Sequence, residues 1–303
     1  MISRAYIQKF YISACFQIQG EFFGSLHERN GHFTFMSEGQ DRFAVGHWQN
    51  DFMEGVIDVE NPSGGWTRGC YSRGLKHGLE RKFDSVYGKA GNLRRVAYYC
   101  NDQIIGKVWQ CLMGGAYLVG TVDSETEKIN GKDVIYVYPD LQTAIQGRFV
   151  DGHMVSGQMC SVEDAYVDPE TQMMTLTVTE EKYGPKLKRD VSTDTVISRY
   201  PLDQDLWESS RVEARVSGLG ESAGEGLYTR TYIEEGQIVA LFNGVRTKSC
   251  RNNKNDKPNQ SYDYRIRLNG EEDIDIPPQF TSLDQYSATL GHKANHSFNP
   301  NAK

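Results

Sequence analysis

The chain has 303 residues, enough for two domains of ordinary size, with 24% charged and 11% aromatic side chains and a formal charge of -7. Residues 211–303 carry 12 basic and 12 acidic side chains, so the acidic excess lies in residues 1–210. An acidic front half argues against direct nucleic-acid binding, which needs Lys and Arg against phosphates, and no stretch approaches the roughly 18 apolar residues of a membrane span. Such a face suits plain solubility or the steering of a basic protein partner.

At the start, Arg4 and Lys9 interrupt a moderately apolar stretch, so residues 1–19 read as a tail and not as a leader. The 6 cysteines are scattered with no CxxC pair, which predicts neither structural zinc nor a disulfide framework. An intracellular protein with reduced thiols is the expectation.

Residues 20–160 read as a repeat domain. Gly46-His47-Trp48 to Gly55 is followed by Gly69-Cys70-Tyr71 to Gly78, with both glycines displaced by 23 residues. Gly147 to Gly157 repeats the theme, and looser copies lie at 20–31, 106–115 and 120–131. Each copy predicts a strand, a tight turn with Asp, Asn or Gly, and a second strand, with Gly supplying positive φ at the turn. Phe43, Trp48, Tyr71, Trp109 and Phe149 are the expected core. An antiparallel array of stacked hairpins follows, or else an ordinary antiparallel domain with incidental glycine spacing. His27, His32, His47, His77 and His153 read as surface or turn residues, and no metal site is expected.

Residues 161–210 form the predicted connection. Met173–Val178 alternates as a strand, Glu180–Asp190 reads as a charged loop broken by Gly-Pro, and Pro201–Glu208 reads as an exposed turn leading into a new domain, with Trp207 anchoring the connection into that next core.

In residues 211–303, Arg211–Ser217 alternates as a strand. Ser222-Ala223-Gly224-Glu225-Gly226-Leu227 reads as a glycine turn, without the Lys of a phosphate loop, and Gln237–Gly244 reads as an apolar strand with a turn. Asn295-His296-Ser297-Phe298-Asn299-Pro300-Asn301 is a polar ligand-capturing segment or, more blandly, a polar turn.

These elements, in this order, resemble the SET domain, and the chain as a whole resembles the MORN-repeat SET-domain histone-lysine methyltransferases. The resemblance rests on residues 207–212, 223–227, 243–246, 290–298 and Val134–Asp140 (VIYVYPD). It implies a mainly β protein, an antiparallel MORN-repeat sheet over 20–160 followed by an incomplete pseudoknotted SET domain over 211–303. It implies S-adenosylmethionine as methyl donor, held by Ala223, Gly224, Glu225, Asn295 and His296. Phe242, Tyr264 and Arg265 would face an extended peptide substrate, with the strand 262–266 lining its groove. The implied substrates are lysine four of the histone H3 tail and lysines of other proteins, and the implied place is the nucleus, with the cytoplasm as a second compartment.

Two departures from that family shape the expectation. Phe242 stands where the family has a Tyr, which predicts a weaker restriction to monomethylation; a mass spectrum with monomethyl product alone would contradict this. The family's final strand with its catalytic Tyr lies beyond Lys303, so no catalytic residue is assigned, and a truncated domain of low or no activity is expected. The alternative reading is a non-catalytic repeat module that binds protein or acidic lipid.

Overall fold

The computed structural model describes residues 6–13, 16–22, 30–37, 43–60, 65–84, 91–112, 115–170, 173–187, 197–198, 200–218, 224–248, 264–267 and 272–294. In chain order the strands are β1 (Tyr6–Ser13), β2 (Phe16–Phe22), β3 (Gly31–Ser37), β4 (Phe43–Gln49), β5 (Phe52–Glu60), β6 (Trp66–Ser72), β7 (Leu75–Phe83), β8 (Leu93–Cys100), β9 (Gln103–Cys111), β10 (Tyr117–Gly120), β11 (Gly131–Val137), β12 (Thr143–Val150), β13 (His153–Val167), β14 (Met174–Val178) and β15 (Tyr183–Leu187). A short helix α1 (Leu206–Arg211) leads into β16 (Val212–Val216), β17 (Glu225–Thr229), β18 (Val245–Lys248), β19 (Ile266–Arg267) and β20 (Glu272–Asp275). The protein is mainly β, and its paired strands are antiparallel, as the sequence implies.

The chain divides into two compact units: residues 1–111, 119–130 and 166–175 form the first, and residues 112–118, 131–165 and 176–303 the second. In the first unit β1 to β9 pair in sequence, each antiparallel to the next. The turns Asn50-Asp51, Arg73-Gly74 and Asn101-Asp102 have positive φ at both residues, the geometry that matches the twist of a two-residue hairpin. The repeat glycines have another task. Gly55 and Gly78, with φ of 77° and 112°, lie beyond the turns, where pairing slips between Val45 and His47 and between Gly69 and Tyr71. The 23-residue rhythm therefore marks a bulge in each hairpin more than the turn itself.

Ile57 centres a core of Trp48, Met53, Val59 and Tyr71, and Trp109 is also buried. The side chain of Phe43 lies outside the described residues. Charge inside this unit is paired: Arg68 donates two bonds to Asp58 at 2.8 and 2.9 Å, and buried Glu80 holds Lys76 at 2.5 Å. His32 and His47 face each other across β3 and β4, and among the described residues no cluster of three potential ligands exists. Cys70, Cys100, Cys111 and Cys160 are free thiols. No helix among the described residues is long and apolar enough to cross a membrane.

In the second unit β12 pairs with β11 and β13, and Ile135, Val137, Ala144 and Cys160 form a core against Tyr117, Val162, Leu176 and Val178. Phe149 is fully buried. The expected strand at 173–178 is present as β14. The expected loop at Glu180–Asp190 is corrected: Tyr183–Leu187 forms β15 on β13, and Leu187 is buried. The Gly184-Pro185 pair reads as a breaker in sequence, but an edge strand has one side with no ladder to break.

The exposed turn expected at Pro201–Glu208 is present over residues 201–204, where 202–204 are exposed, and is corrected from Asp205 onward. Asp205 caps α1 by accepting the Glu208 amide at 3.0 Å, and Trp207 and Glu208 are buried. Trp207 does anchor, but onto Tyr138 and Asp140 of the 20–160 stretch and not into the core of the residues that follow. Its ring stacks on Tyr138 at 5.3 Å, and its Nε1 donates to Asp140 Oδ2 at 2.7 Å. The Tyr138 hydroxyl donates to Asp205 Oδ2 at 2.8 Å, and Arg211 covers the Trp207 ring at 4.7 Å. Trp207→Phe keeps the stack and deletes one hydrogen bond to a carboxylate. It should lower stability by about 2 kcal/mol, read as a shifted urea midpoint; an unchanged midpoint would remove the indole bond from this account.

Candidate functional site

Three segments that lie far apart in sequence meet in the second unit. The first is the turn between β16 and β17. These strands pair from Val212↔Thr229 to Val216↔Glu225, and the Ser217 amide donates to the Gly224 carbonyl at 2.8 Å. Gly224 has φ of 62°, and a Cβ there would meet nothing within 4 Å among the described residues, in a turn whose backbone a ligand could approach.

The second segment, Gln237–Gly244, is not the strand its apolar run predicts. Its hydrogen bonds go elsewhere: the Leu241 amide donates to Glu208 Oε1 at 3.0 Å, and the Leu241 carbonyl accepts the Gly291 amide at 3.0 Å. The third segment, Leu290–Ala294, crosses it. A Cβ on Gly291 would stand 2.6 Å from the Leu241 oxygen, so only glycine allows the two backbones to come this close. The Leu290 amide donates to the same Glu208 oxygen at 3.0 Å.

An ion pair between buried Lys293 and half-exposed Glu225 joins the first segment to the third. Lys293 lies 2.7 Å from Glu225 and donates to the Thr281 carbonyl at 2.5 Å. Beside it, the His292 ring makes edge contacts with Tyr264 at 5.8 Å and Tyr286 at 5.7 Å. Burial and the neighbouring Lys293 charge push the His292 pKa down to about 4, opposed by the Thr289 carbonyl. Burial pushes Glu208 up to about 8, with Asp205 adding to the rise and the Leu241 and Leu290 amides opposing it. At neutral pH both groups are uncharged.

Of the residues singled out by sequence, Gly224 and Glu225 belong to this meeting point. Phe242 is half-buried in the crossing segment, and Tyr264 lies against His292 with Lys293 5.9 Å from its ring centroid. Arg265 turns back to Asp273 and Asp275 at 4.0 and 3.9 Å. Of the strand expected at 262–266, Ile266 pairs with Ile274, while Tyr264 and Arg265 precede it. Ala223, Tyr262, Asn295 and His296 lie outside the described residues. Glu208, Asn243 and His292 lie in segments that carry the resemblance, but sequence reasoning gives none of them a role. Asn243 is buried at 3% exposure, and its signal was its place in the Phe-Asn-Gly turn. Glu208 reads in sequence as part of an exposed turn, because a carboxylate in a charged linker reads as solvated.

The chain fits a family model over residues 99–172, the one described as "Histone H3 K4-specific methyltransferase SET7 N-terminal". It is 33% identical over 217 residues to "Histone-lysine N-methyltransferase SETD7" of Halocynthia roretzi. That match covers 72% of this chain and 55% of the relative, so the chain spans about half the length of the relative it matches.

Proposed function

The chain is related to the SET7/SETD7-type histone-lysine methyltransferases, and from that premise we propose that residues 211–303 take part in a protein-lysine N-methyltransferase site, with residues 20–160 as its repeat sheet. The observation that carries this reading is the meeting of the Gly224-Glu225 turn, the Leu241–Gly244 segment and the Leu290–Ala294 segment at one place.

The donor set suits S-adenosylmethionine. Gly224 has an open backbone among the described residues, the half-exposed Glu225 carboxylate shared with Lys293 lies beside it, and Asn295 and His296 would complete the contact. When bound, that cofactor supplies an electrophilic methyl group on sulfur. The residues of this chain supply position and dryness. Phe242 and Tyr264 would wall an aromatic passage that strips water from a neutral lysine amine, and such walls favour a methylammonium product. Arg265, paired to Asp273 and Asp275, would stand at the peptide groove. The substrate class is the histone H3 tail and other lysine-bearing proteins, in the nucleus and also the cytoplasm.

The test is transfer of labelled methyl from S-adenosylmethionine by the protein purified from its native cells. Label on lysine of histone H3 is expected; no label on any histone or lysate protein would sink the reading. One observation favours a second role for the repeat sheet, as a binding module for protein or lipid. Phe52, Val56, Leu75, Tyr98 and Ile105 are large apolar side chains left exposed on the first unit.

A further inference from the structure

We propose that Glu208 is the positioning residue of this site, its single buried oxygen setting the distance between the Leu241–Gly244 and Leu290–Ala294 segments; the inference rests on the methyltransferase reading for its consequence, but not for its geometry. Two backbone amides 49 residues apart in sequence converge on Oε1, each at 3.0 Å. Glu208 is 1% exposed, and its Oε2 meets no partner among the described residues. A buried carboxyl held by backbone alone, on one oxygen, is costly unless it organises what it touches.

What it touches are the flanks of the site. Leu241 precedes Phe242 and Asn243, and Leu290 precedes Gly291, His292 and Lys293. Glu208 is itself fixed from behind. Its own amide donates to Asp205, Asp205 accepts from Tyr138, and the Asp205 amide donates to the Ala288 carbonyl at 3.1 Å. A displacement of α1 is therefore passed through one carboxyl to both crossing segments.

The test compares Glu208→Gln, Glu208→Asp and Glu208→Leu in the 303-residue chain. Amide hydrogen exchange at Leu241 and Leu290 is read against that at Val212, and S-adenosylmethionine binding is titrated by calorimetry on the same samples. Gln retains a carbonyl oxygen at the same reach, so both amides should stay within about threefold of wild type. Leu removes the acceptor, and exchange at both amides should rise by about tenfold or more while Val212 is unchanged. Should the Leu variant fail to fold, Asp, one methylene shorter, is expected to lose protection at both amides, and Gln to restore it. Protection retained at both amides in the Leu variant, or in Asp where Leu does not fold, overturns the proposal. Where the wild-type chain binds the cofactor, the variants that lose protection should bind about tenfold more weakly and Gln as wild type; equal binding also overturns it. Absence of cofactor binding by wild type is what an incomplete domain would give, and the exchange data alone then decide the role of Glu208.

Discussion

Glu208→Gln is expected to make this protein more stable at pH 8 and to reverse the way its stability depends on pH. The folded Glu208 carboxyl titrates at about 8, against an ordinary value of 4.5. Below pH 4.5 it is protonated in both states and contributes no pH dependence. Between 4.5 and 8 the unfolded chain has released this proton and the folded chain keeps it, so stability falls as pH rises, by about 1.4 kcal/mol per unit. The full loss is on the order of 5 kcal/mol.

His292 works in the opposite direction. Its folded value of about 4 lies below the ordinary 6.5, so its contribution is complete above pH 6.5 and is lost as pH falls toward 4. The groups facing these two are Asp205, Tyr136 and Tyr286 around Glu208, and Lys293, Tyr264, Tyr286 and Thr289 around His292. In wild type the two slopes cancel between pH 4.5 and 6.5, and Glu208 alone acts from 6.5 to 8. In Glu208→Gln only the histidine arm remains, so its stability relative to wild type should climb from pH 4.5 to 8. In His292→Phe only the carboxyl arm remains, and stability should fall across that whole span. Urea unfolding at a series of pH values reads both slopes. Parallel curves for the three proteins would mean that neither group is buried as described.

Gly291→Ala should cost about 3 kcal/mol, because its Cβ would meet backbone and not a movable side chain. The obstructing atoms are the Leu241 oxygen at 2.6 Å, the Leu241 carbonyl carbon at 2.8 Å and the Phe242 nitrogen at 3.0 Å. Relief requires the two segments to separate, which would also lengthen the Gly291 to Leu241 hydrogen bond and pull against Glu208. The loss would be read as a lower urea midpoint, with faster amide exchange at Gly291. A substitution that leaves both unchanged would show that the two segments do not cross in this way. Gly224→Ala makes a contrast: it strains a left-handed turn but meets nothing within 4 Å among the described residues, so its cost should stay near 1 kcal/mol.

The hairpin array was legible because its information is local. Asn50-Asp51, Arg73-Gly74 and Asn101-Asp102 each specify a tight turn within a few residues, and alternating side chains specify the flanking strands. The role of Gly55 and Gly78 was read less well. A glycine at a turn and a glycine at a bulge look alike until the partner strand supplies the register. The β15 strand was missed for a related reason, since Gly-Pro forbids a central strand but not an edge.

Around the candidate site, sequence by itself determined which short motifs were present: the Gly224-Glu225 turn, the Phe242-Asn243-Gly244 turn and the Gly291-His292-Lys293 approach. Only the tertiary structure decided that they meet, and what holds them. The apolar run 237–241 satisfies β periodicity, yet its hydrogen bonds are claimed by Glu208 and Gly291 from distant parts of the chain. Whether a carboxylate is solvated or buried, and whether a histidine can hold a proton at neutral pH, depends on the dielectric and charge around it. Those surroundings are assembled from residues far apart in sequence, such as Tyr138, Asp205, Leu241, Tyr286 and Leu290, and no local pattern encodes them.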